Sequence, residues 1–235
     1  MKESLELIEK NVKNILETLA PYPDTALMAA IKTRNDEEIC KSYECGVRYF
    51  GENRVQELLA HYETVKSLPD AKLHMIGTLQ TNKVKYIIDK VDMIESLSGI
   101  NLAKEINKRA LQHGLKMPVL IEVNIGREEQ KDGIYPEELE SFLDSLAEFE
   151  NIAPAGLMTI APVCEDPKDY AQYFSEMVKL RDEVFAKKFP EVKPLLSMGM
   201  SGNYAEALRF GTNFVRIGTG IFGPRTYTTK FDVSE

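Results

Sequence analysis

The residue types best suited to chemistry gather at two places in this chain. The first is Lys32, which follows five consecutive apolar residues in LMAAIKTRN. An amine at the end of a buried run loses solvation, its pKa falls, and the neutral form attacks aldehydes. A lysine at a strand end also commonly reaches solvent along its alkyl stem, so position alone leaves both readings open. The second place is the stretch 196–225, which reads as two successive strand-to-loop transitions. Residues 194–198 open into Ser201-Gly202-Asn203 at the head of a helix, and 213–217 open into Gly218-Thr219-Gly220. Hydroxyls and outward-pointing backbone N–H groups at such places favour anions, phosphate above all. Arg216 falls inside the second apolar run, where a permanent charge needs a partner. The combination predicts a phosphorylated small molecule with the arginine beside its polar ring or head group.

These groups must be positioned by a regular framework, and short apolar runs recur through the chain. They cover 26–31, 47–50, 73–76, 93–96, 119–123, 155–158, 195–198 and 214–217. Most are continuous rather than alternating, as strands of a parallel sheet covered on both faces should be. Amphipathic segments separate them. Val55, Leu58, Leu59 and Tyr62 share one helical face, as do Leu139, Phe142, Leu143 and Leu146, and Tyr170, Phe174, Met177 and Val184 form a third stripe. Pro136 and Pro167 sit where first-turn prolines are tolerated, and Gly114 and Gly211 follow helical segments as C-terminal caps. Strand–helix alternation fits a doubly wound sheet or a closed eight-stranded barrel. The barrel is preferred because its usual phosphate site comes from the loops after strands seven and eight, where Ser201 and Gly218 fall. The expected fold is therefore α/β, a single (β/α)8 TIM-type barrel spanning 1–235. Its extra N-terminal helix, with Leu5, Ile8, Val12, Ile15, Leu16 and Leu19 on one face, is expected to cover the flank left by a missing eighth helix.

Composition sets the outer bounds. At 235 residues with 43% apolar and 28% charged residues, the chain suits one soluble domain with a full core. A net charge of -8 argues against a nucleic-acid surface, which needs excess Lys and Arg. Charges recur through the first nineteen residues, so they read as neither a signal peptide nor a membrane span. Cys40, Cys45 and Cys164 are an odd set without a secretory signal, which points to reduced thiols and a cytoplasmic protein. His61, His74 and His113 share no metal-binding spacing, so no metal site is expected. The acidic pairs Glu137-Glu138 and Glu148–Glu150 read as solvated helix faces. An amine, a phosphate cradle and an arginine for a ring nitrogen together describe a pyridoxal 5′-phosphate (PLP) site.

Over nearly its whole length the chain resembles the pyridoxal phosphate homeostasis proteins, which have an alanine-racemase-like barrel (PLP fold type III). The resemblance is carried by AIKT at 30–33, FGENRVQEL at 50–58, HMIGTLQTNKVK at 74–85, VNIGREEQKDG at 123–133, GLMTI at 156–160 and the stretch 196–225. It implies PLP held as an aldimine on Lys32 in a monomeric barrel. Ser201 and Gly218-Thr219 would contact the phosphate, Arg216 would face the pyridine nitrogen, and Asn53 would lie beside the cofactor. Lys83 and Lys131 fall in family motifs without a role that local sequence assigns. The chain departs from the family's pattern at Ile31, commonly serine, and at Arg34-Asn35, often lysine-proline.

An arginine beside the pyridine nitrogen discourages its protonation, which makes the ring a poorer electron sink. Racemases resembling this barrel add a second β-domain and a partner's tyrosine. The given sequence ends soon after Arg216, so no such domain is expected, and Tyr49, Tyr86, Tyr204 and Tyr227 read as packing or surface aromatics. The expected function is a non-catalytic PLP carrier with no catalytic residues of its own. It would limit free aldehyde, with delivery of PLP through transient contact with apo-enzymes as a further expectation. The alternatives are a low-activity PLP-dependent amino-acid racemase or related enzyme, and a metabolite-binding barrel that forms no aldimine.

Overall fold

The computed structural model describes residues 2–224. Arg225, Tyr227 and the rest of 225–235 lie outside the described residues. Helix α1 (Lys2–Leu19) precedes β1 (Ala26–Ala30), and α2 (Asp36–Glu44) leads to β2 (Tyr49–Glu52). Helix α3 (Val55–Lys66), β3 (Lys72–Met75) and a 3-10 segment (Thr81–Tyr86) follow, then β4 (Met93–Leu97), α4 (Ile100–Gln112) and β5 (Met117–Glu122). A 3-10 turn (Pro136–Glu138) runs into α5 (Leu139–Leu146), and β6 (Ile152–Met158) comes next. Another such turn (Pro167–Asp169) starts α6 (Tyr170–Lys179), which continues as a π-helix (Leu180–Phe185) into α7 (Ala186–Lys188). The chain then forms β7 (Leu195–Met200), α8 (Tyr204–Leu208), β8 (Phe214–Ile217) and α9 (Thr219–Phe222).

All eight strands are parallel and close into a barrel in chain order, with β8 pairing back onto β1. In that closing pair Met28 lies opposite Arg216 and Ala29 opposite Ile217. Both faces of each strand are covered, which explains the continuous apolar runs. Met28, Ala30, Ile76 and Phe214 pack together as one cluster, and Met93, Leu120 and Met158 as another. Alternate residues such as Ala29, Phe50, Leu73, Ile94, Ile121, Leu157, Leu196 and Val215 join the layer shared with the helices.

Local signals account for the element ends. Asn35 accepts the Glu38 N–H at 2.9 Å while Glu38 accepts the Asn35 N–H at 3.2 Å, a capping box that starts α2 three residues after Lys32. Pro136 and Pro167 open their 3-10 turns. Gly114 and Gly211 adopt φ 65° and 69° past the ends of α4 and α8.

Two helical faces differ from the periodic reading. On α3 the buried residues are Val55, Leu58, His61 and Val65, whereas Leu59 is exposed. A histidine replaces a leucine on the inner face because it has a buried carboxylate to meet. Along α6 the stripe Tyr170, Phe174 and Met177 continues to Phe185 rather than Val184. The π-helix inserts an extra residue in the turn, so the buried position arrives one residue later.

Helix α1 contacts α2, β1 and α9, and the Asn11 side chain donates to the Ile221 carbonyl at 2.9 Å. It thus lies on the flank beside β8 and β1, where its Ile8 and Val12 are fully buried. No helix among the described residues is long and apolar enough to cross a membrane. Ile8→Ala should cost about 2–5 kcal/mol through lost burial and the cavity it leaves. Thermal unfolding followed by circular dichroism should show a midpoint roughly 5–15 °C lower, and an unchanged midpoint would show that α1 is not part of the cooperative core.

Candidate functional site

Lys32 sits on a tight turn just beyond β1. The Arg34 N–H donates to the Ile31 carbonyl at 3.0 Å, and Thr33 has φ 64°. A positive φ at the third position marks a type II turn, which ordinarily takes glycine or asparagine there. Threonine in that conformation costs on the order of 1–3 kcal/mol. Glu57 of α3 offsets part of this by accepting the Thr33 N–H at 2.7 Å. Ile31 is fully buried in the layer shared with the helices, so the departure from serine there thickens the outer packing. Arg34 reaches the other way, with its guanidinium 5.1 Å from the centre of the Phe222 ring and bonded to the Gly223 carbonyl at 3.4 Å. The turn is thereby tied to α9.

Lys32 and Asn53 line one cavity of about 600 Å³, together with Arg54, Gln56, Thr78 and Lys83. Asn53 Oδ1 is buried there and has no hydrogen-bond partner among the described residues. The loops after β2 and β3 touch closely: a Cβ at Gly77 would lie 2.4 Å from the Asn53 carbonyl, so only glycine fits. Thr78 donates to Asp132 at 2.7 Å, linking the loop after β3 to the loop after β5. Lys83 therefore joins Lys32. Lys131 does not line that cavity and forms an ion pair with Glu128 of its own loop.

Ser201 and the 218–220 loop form a second group. Ser201 Oγ accepts the Gly220 N–H at 3.1 Å, and the Asn203 side chain accepts the Met200 N–H at 2.7 Å. The β7–β8 register shifts between Ser197 and Met200. Gly199 in that interval has φ 97° and would press a Cβ to 2.8 Å from that of Ala207. Pairing of β8 with β1 sets this group beside the lysine strand, since a Cβ on Gly218 would lie 3.4 Å from the Ala30 carbonyl.

Arg216 is buried inside the barrel between these groups and the floor. It donates to Ser197 Oγ at 2.6 Å and to the Thr159 carbonyl at 2.7 Å. The Ser197 hydroxyl in turn donates to Glu95 at 2.6 Å, and Glu95 meets His74 Nδ1 at 2.7 Å. His74 packs edge-on against Tyr49 and Phe214. Burial pulls the arginine's pKa down, and the charges of Glu95 and Glu122 oppose that pull. Burial likewise pushes Glu95 up, but His74, Arg216 and Ser197 outweigh it and hold the carboxyl below the usual range. Glu122 behaves differently. Burial and the nearby charge of Asp132 raise it to about 7 against the pull of Arg216, and its Oε2 lacks a partner among the described residues.

The sequence reading singled out Arg216 for needing a partner but missed Glu95, Ser197, His74 and Glu122. The signal was present: Glu95 and Glu122 interrupt apolar strand runs just as Arg216 does. Of the tyrosines, Tyr49 is half-buried against the interior aromatics, Tyr86 is exposed and Tyr204 opens α8.

Comparison with known proteins places this arrangement. The alanine racemase N-terminal domain family matches residues 4–226. The pyridoxal phosphate homeostasis protein of Aquifex aeolicus is 47% identical over 201 residues, covering 86% of this chain and 87% of that protein. The protein of the same name from Pasteurella multocida is 32% identical over 233 residues, covering 97% and 99%. PipY of Synechococcus elongatus, solved with PLP bound, superposes with a TM-score of 0.83 at 28% identity, covering 92% of this chain and all of PipY. An alanine racemase of Clostridium difficile shares the fold at TM-score 0.73 and 18% identity, and this chain spans 58% of it.

The interior charges give opposite pH signatures. Because the Glu95 pKa is depressed by folding, its contribution to stability is present above about pH 4.5 and fades as pH falls through the folded value. Glu95→Gln should therefore destabilise the protein at pH 7 and flatten the acid limb of a denaturation series. Because the Glu122 pKa is raised to about 7, its favourable contribution fades as pH rises from about 4.5 through 7. Glu122→Gln should gain stability relative to the wild type at pH 8 but not at pH 5, measured by urea unfolding. Identical pH profiles for a variant and the wild type would remove that group's assignment.

Proposed function

The chain belongs to the pyridoxal phosphate homeostasis protein family, and we propose that it holds pyridoxal 5′-phosphate on Lys32 and releases it again without turning over a substrate. The observation that carries this reading is the juxtaposition across the β1–β8 closure. It places an amine-bearing turn next to a loop pair rich in hydroxyl and glycine amide donors. Ser201, Gly218 and Thr219 would hold the phosphate, Arg216 would face the pyridine nitrogen, and Asn53 Oδ1, without a partner among the described residues, would accept a hydrogen bond in the cavity beside Lys32. The residues suit the group chemically, with anion donors on one loop pair, a lysine on the neighbouring turn and a fixed cation buried in the barrel. When bound, PLP would supply an aldehyde able to condense reversibly with the Lys32 amine, with release of water.

The carrier reading follows from the state of Arg216. Its guanidinium is permanently charged and fixed by Ser197 and Thr159. A ring nitrogen facing it would remain unprotonated, and the ring would then withdraw electrons poorly. Racemisation also needs a second acid–base group on the far face of the substrate. Tyr49 is packed against His74 and Phe214, and Tyr86 is exposed on the 3-10 segment. In this reading the protein limits free aldehyde inside the cell and passes PLP to apo-enzymes through transient contact, as a monomer.

The purified protein should turn yellow with PLP, and borohydride reduction followed by peptide mapping should place the label on Lys32. Lys32→Ala should remain folded and lose the visible band, since the phosphate loops do not depend on the amine. Arg216→Ala should retain PLP more weakly and lose about 1–3 kcal/mol of stability, because it leaves the buried Ser197 Oγ and Thr159 carbonyl without their donor. An unmodified Lys32 would overturn the site. Lysine-dependent turnover of any amino acid at an enzyme-like rate would overturn the carrier role.

A further inference from the structure

Inside the barrel a buried cation and a buried carboxyl stand on neighbouring strands of one row and do not pair. Leu120 and Met158 belong to an inner cluster, so Glu122, two residues beyond Leu120 on the same strand face, points inward as well. Strand register sets Glu122 opposite Met158 and Met158 opposite Ser197, which makes a row across β5, β6 and β7. Arg216 reaches along that row from β8. It donates to Ser197 Oγ at 2.6 Å and to the carbonyl of Thr159, the residue after Met158, at 2.7 Å. Its guanidinium therefore ends one strand short of Glu122.

Buried charges are ordinarily paired directly. Here Glu122 Oε2 is buried without a partner among the described residues. Arg216 is 4% exposed, and an arginine carries five N–H donors. Its bonds to Ser197 and Thr159 are its only hydrogen bonds among the described residues. An arginine only donates, so Ser197 Oγ is the acceptor in their contact whatever the state of Glu95. The 2.6 Å contact between Ser197 and Glu95 fixes that oxygen in place. We propose that Ser197 is a positioning residue that holds Arg216 off Glu122, and so keeps the unused N–H edge of the guanidinium for the ring nitrogen of the ligand.

This rests on the reading that Arg216 faces the pyridine nitrogen. Without Ser197 the guanidinium keeps only the Thr159 carbonyl and can turn about it toward Glu122. The arginine would then satisfy the carboxyl and lose the edge that a ring nitrogen needs. The state of Glu122 agrees with this separation, because burial and Asp132 raise it to about 7 in spite of Arg216. A directly paired arginine would pull it down toward the ordinary carboxylate range.

Two ligands separate positioning from packing: PLP, and its 1-deaza analogue in which C–H replaces the ring nitrogen. Lost packing weakens both alike, whereas a lost donor edge weakens only PLP. The wild type should bind PLP at least about tenfold more tightly than the analogue, the value of one hydrogen bond to a charged group. Ser197→Ala should bring that ratio near one. Ser197→Cys, close in shape but a weak acceptor, should do the same and serves where the alanine variant does not fold. Adding Glu122→Met to Ser197→Ala removes the competing carboxyl and should restore part of the preference. In cofactor-free Ser197→Ala the Glu122 carboxyl, followed by carbon-13 NMR, should titrate lower than in the wild type. A wild-type preference that persists in both Ser197 variants, no recovery in the double variant, or an unchanged Glu122 titration would each overturn this inference alone. A ratio near one in the wild type would overturn the placement of Arg216 at the ring nitrogen, and the role of Ser197 would fall with it.

Discussion

The rest of the molecule is arranged around a guanidinium that cannot leave the barrel interior. Arg216 sits on the closing strand, is almost completely buried, and meets Ser197 from β7 and the carbonyl of Thr159 after β6. Ser197 connects it to Glu95 of β4, and Glu95 to His74 of β3. One charge on β8 thus draws polar atoms from four other sectors of the barrel to its axis. Removing the guanidinium costs about 1–3 kcal/mol, because the buried Ser197 Oγ and Thr159 carbonyl lose their donor. The network holds the strand ends in a fixed relation. It also places a positive charge of known orientation under the mouth.

Above that floor the lysine turn and the Ser201–Gly220 pair occupy neighbouring loops. The pairing of β8 with β1 fixes the separation between the Ser201–Gly220 contact and the lysine turn. Arg34 adds a second tie, because its side chain lies over Phe222 while its backbone ends the turn. The turn is strained at Thr33, and α3 holds it through Glu57. Strain of this kind persists only when surrounding contacts over-determine it, and here they come from α3, α9 and β2.

The two interior carboxyls illustrate how environment divides identical chemistry. Glu95 has a histidine, a hydroxyl and an arginine around it and stays ionised. Glu122 has an acidic neighbour, a buried oxygen without a partner among the described residues, and only the distant help of Arg216. Near neutral pH it is poised between its two forms. Nothing in the local sequence distinguishes the two, since each is a lone glutamate in an apolar strand run.

Much of the framework was legible from the chain itself. Continuous apolar runs announced eight parallel strands because both strand faces are covered, and Asn35-x-x-Glu38, Pro136 and Gly114 marked helix ends through purely local hydrogen bonding and backbone geometry. Lys32 at a strand end and Ser201 and Gly218 after strands seven and eight were visible for the same reason: their signal lies within a few neighbouring residues. The buried face of α3, the shifted stripe beyond α6 and the Glu95–Ser197–Arg216 relay were not visible. His61 is inside because Glu52, nine positions away and on another element, needs it, and Glu95 is paired because a strand more than a hundred residues later supplies Ser197. Local sequence determines which conformations a segment prefers, but the partner that neutralises a buried charge is chosen only when the barrel closes.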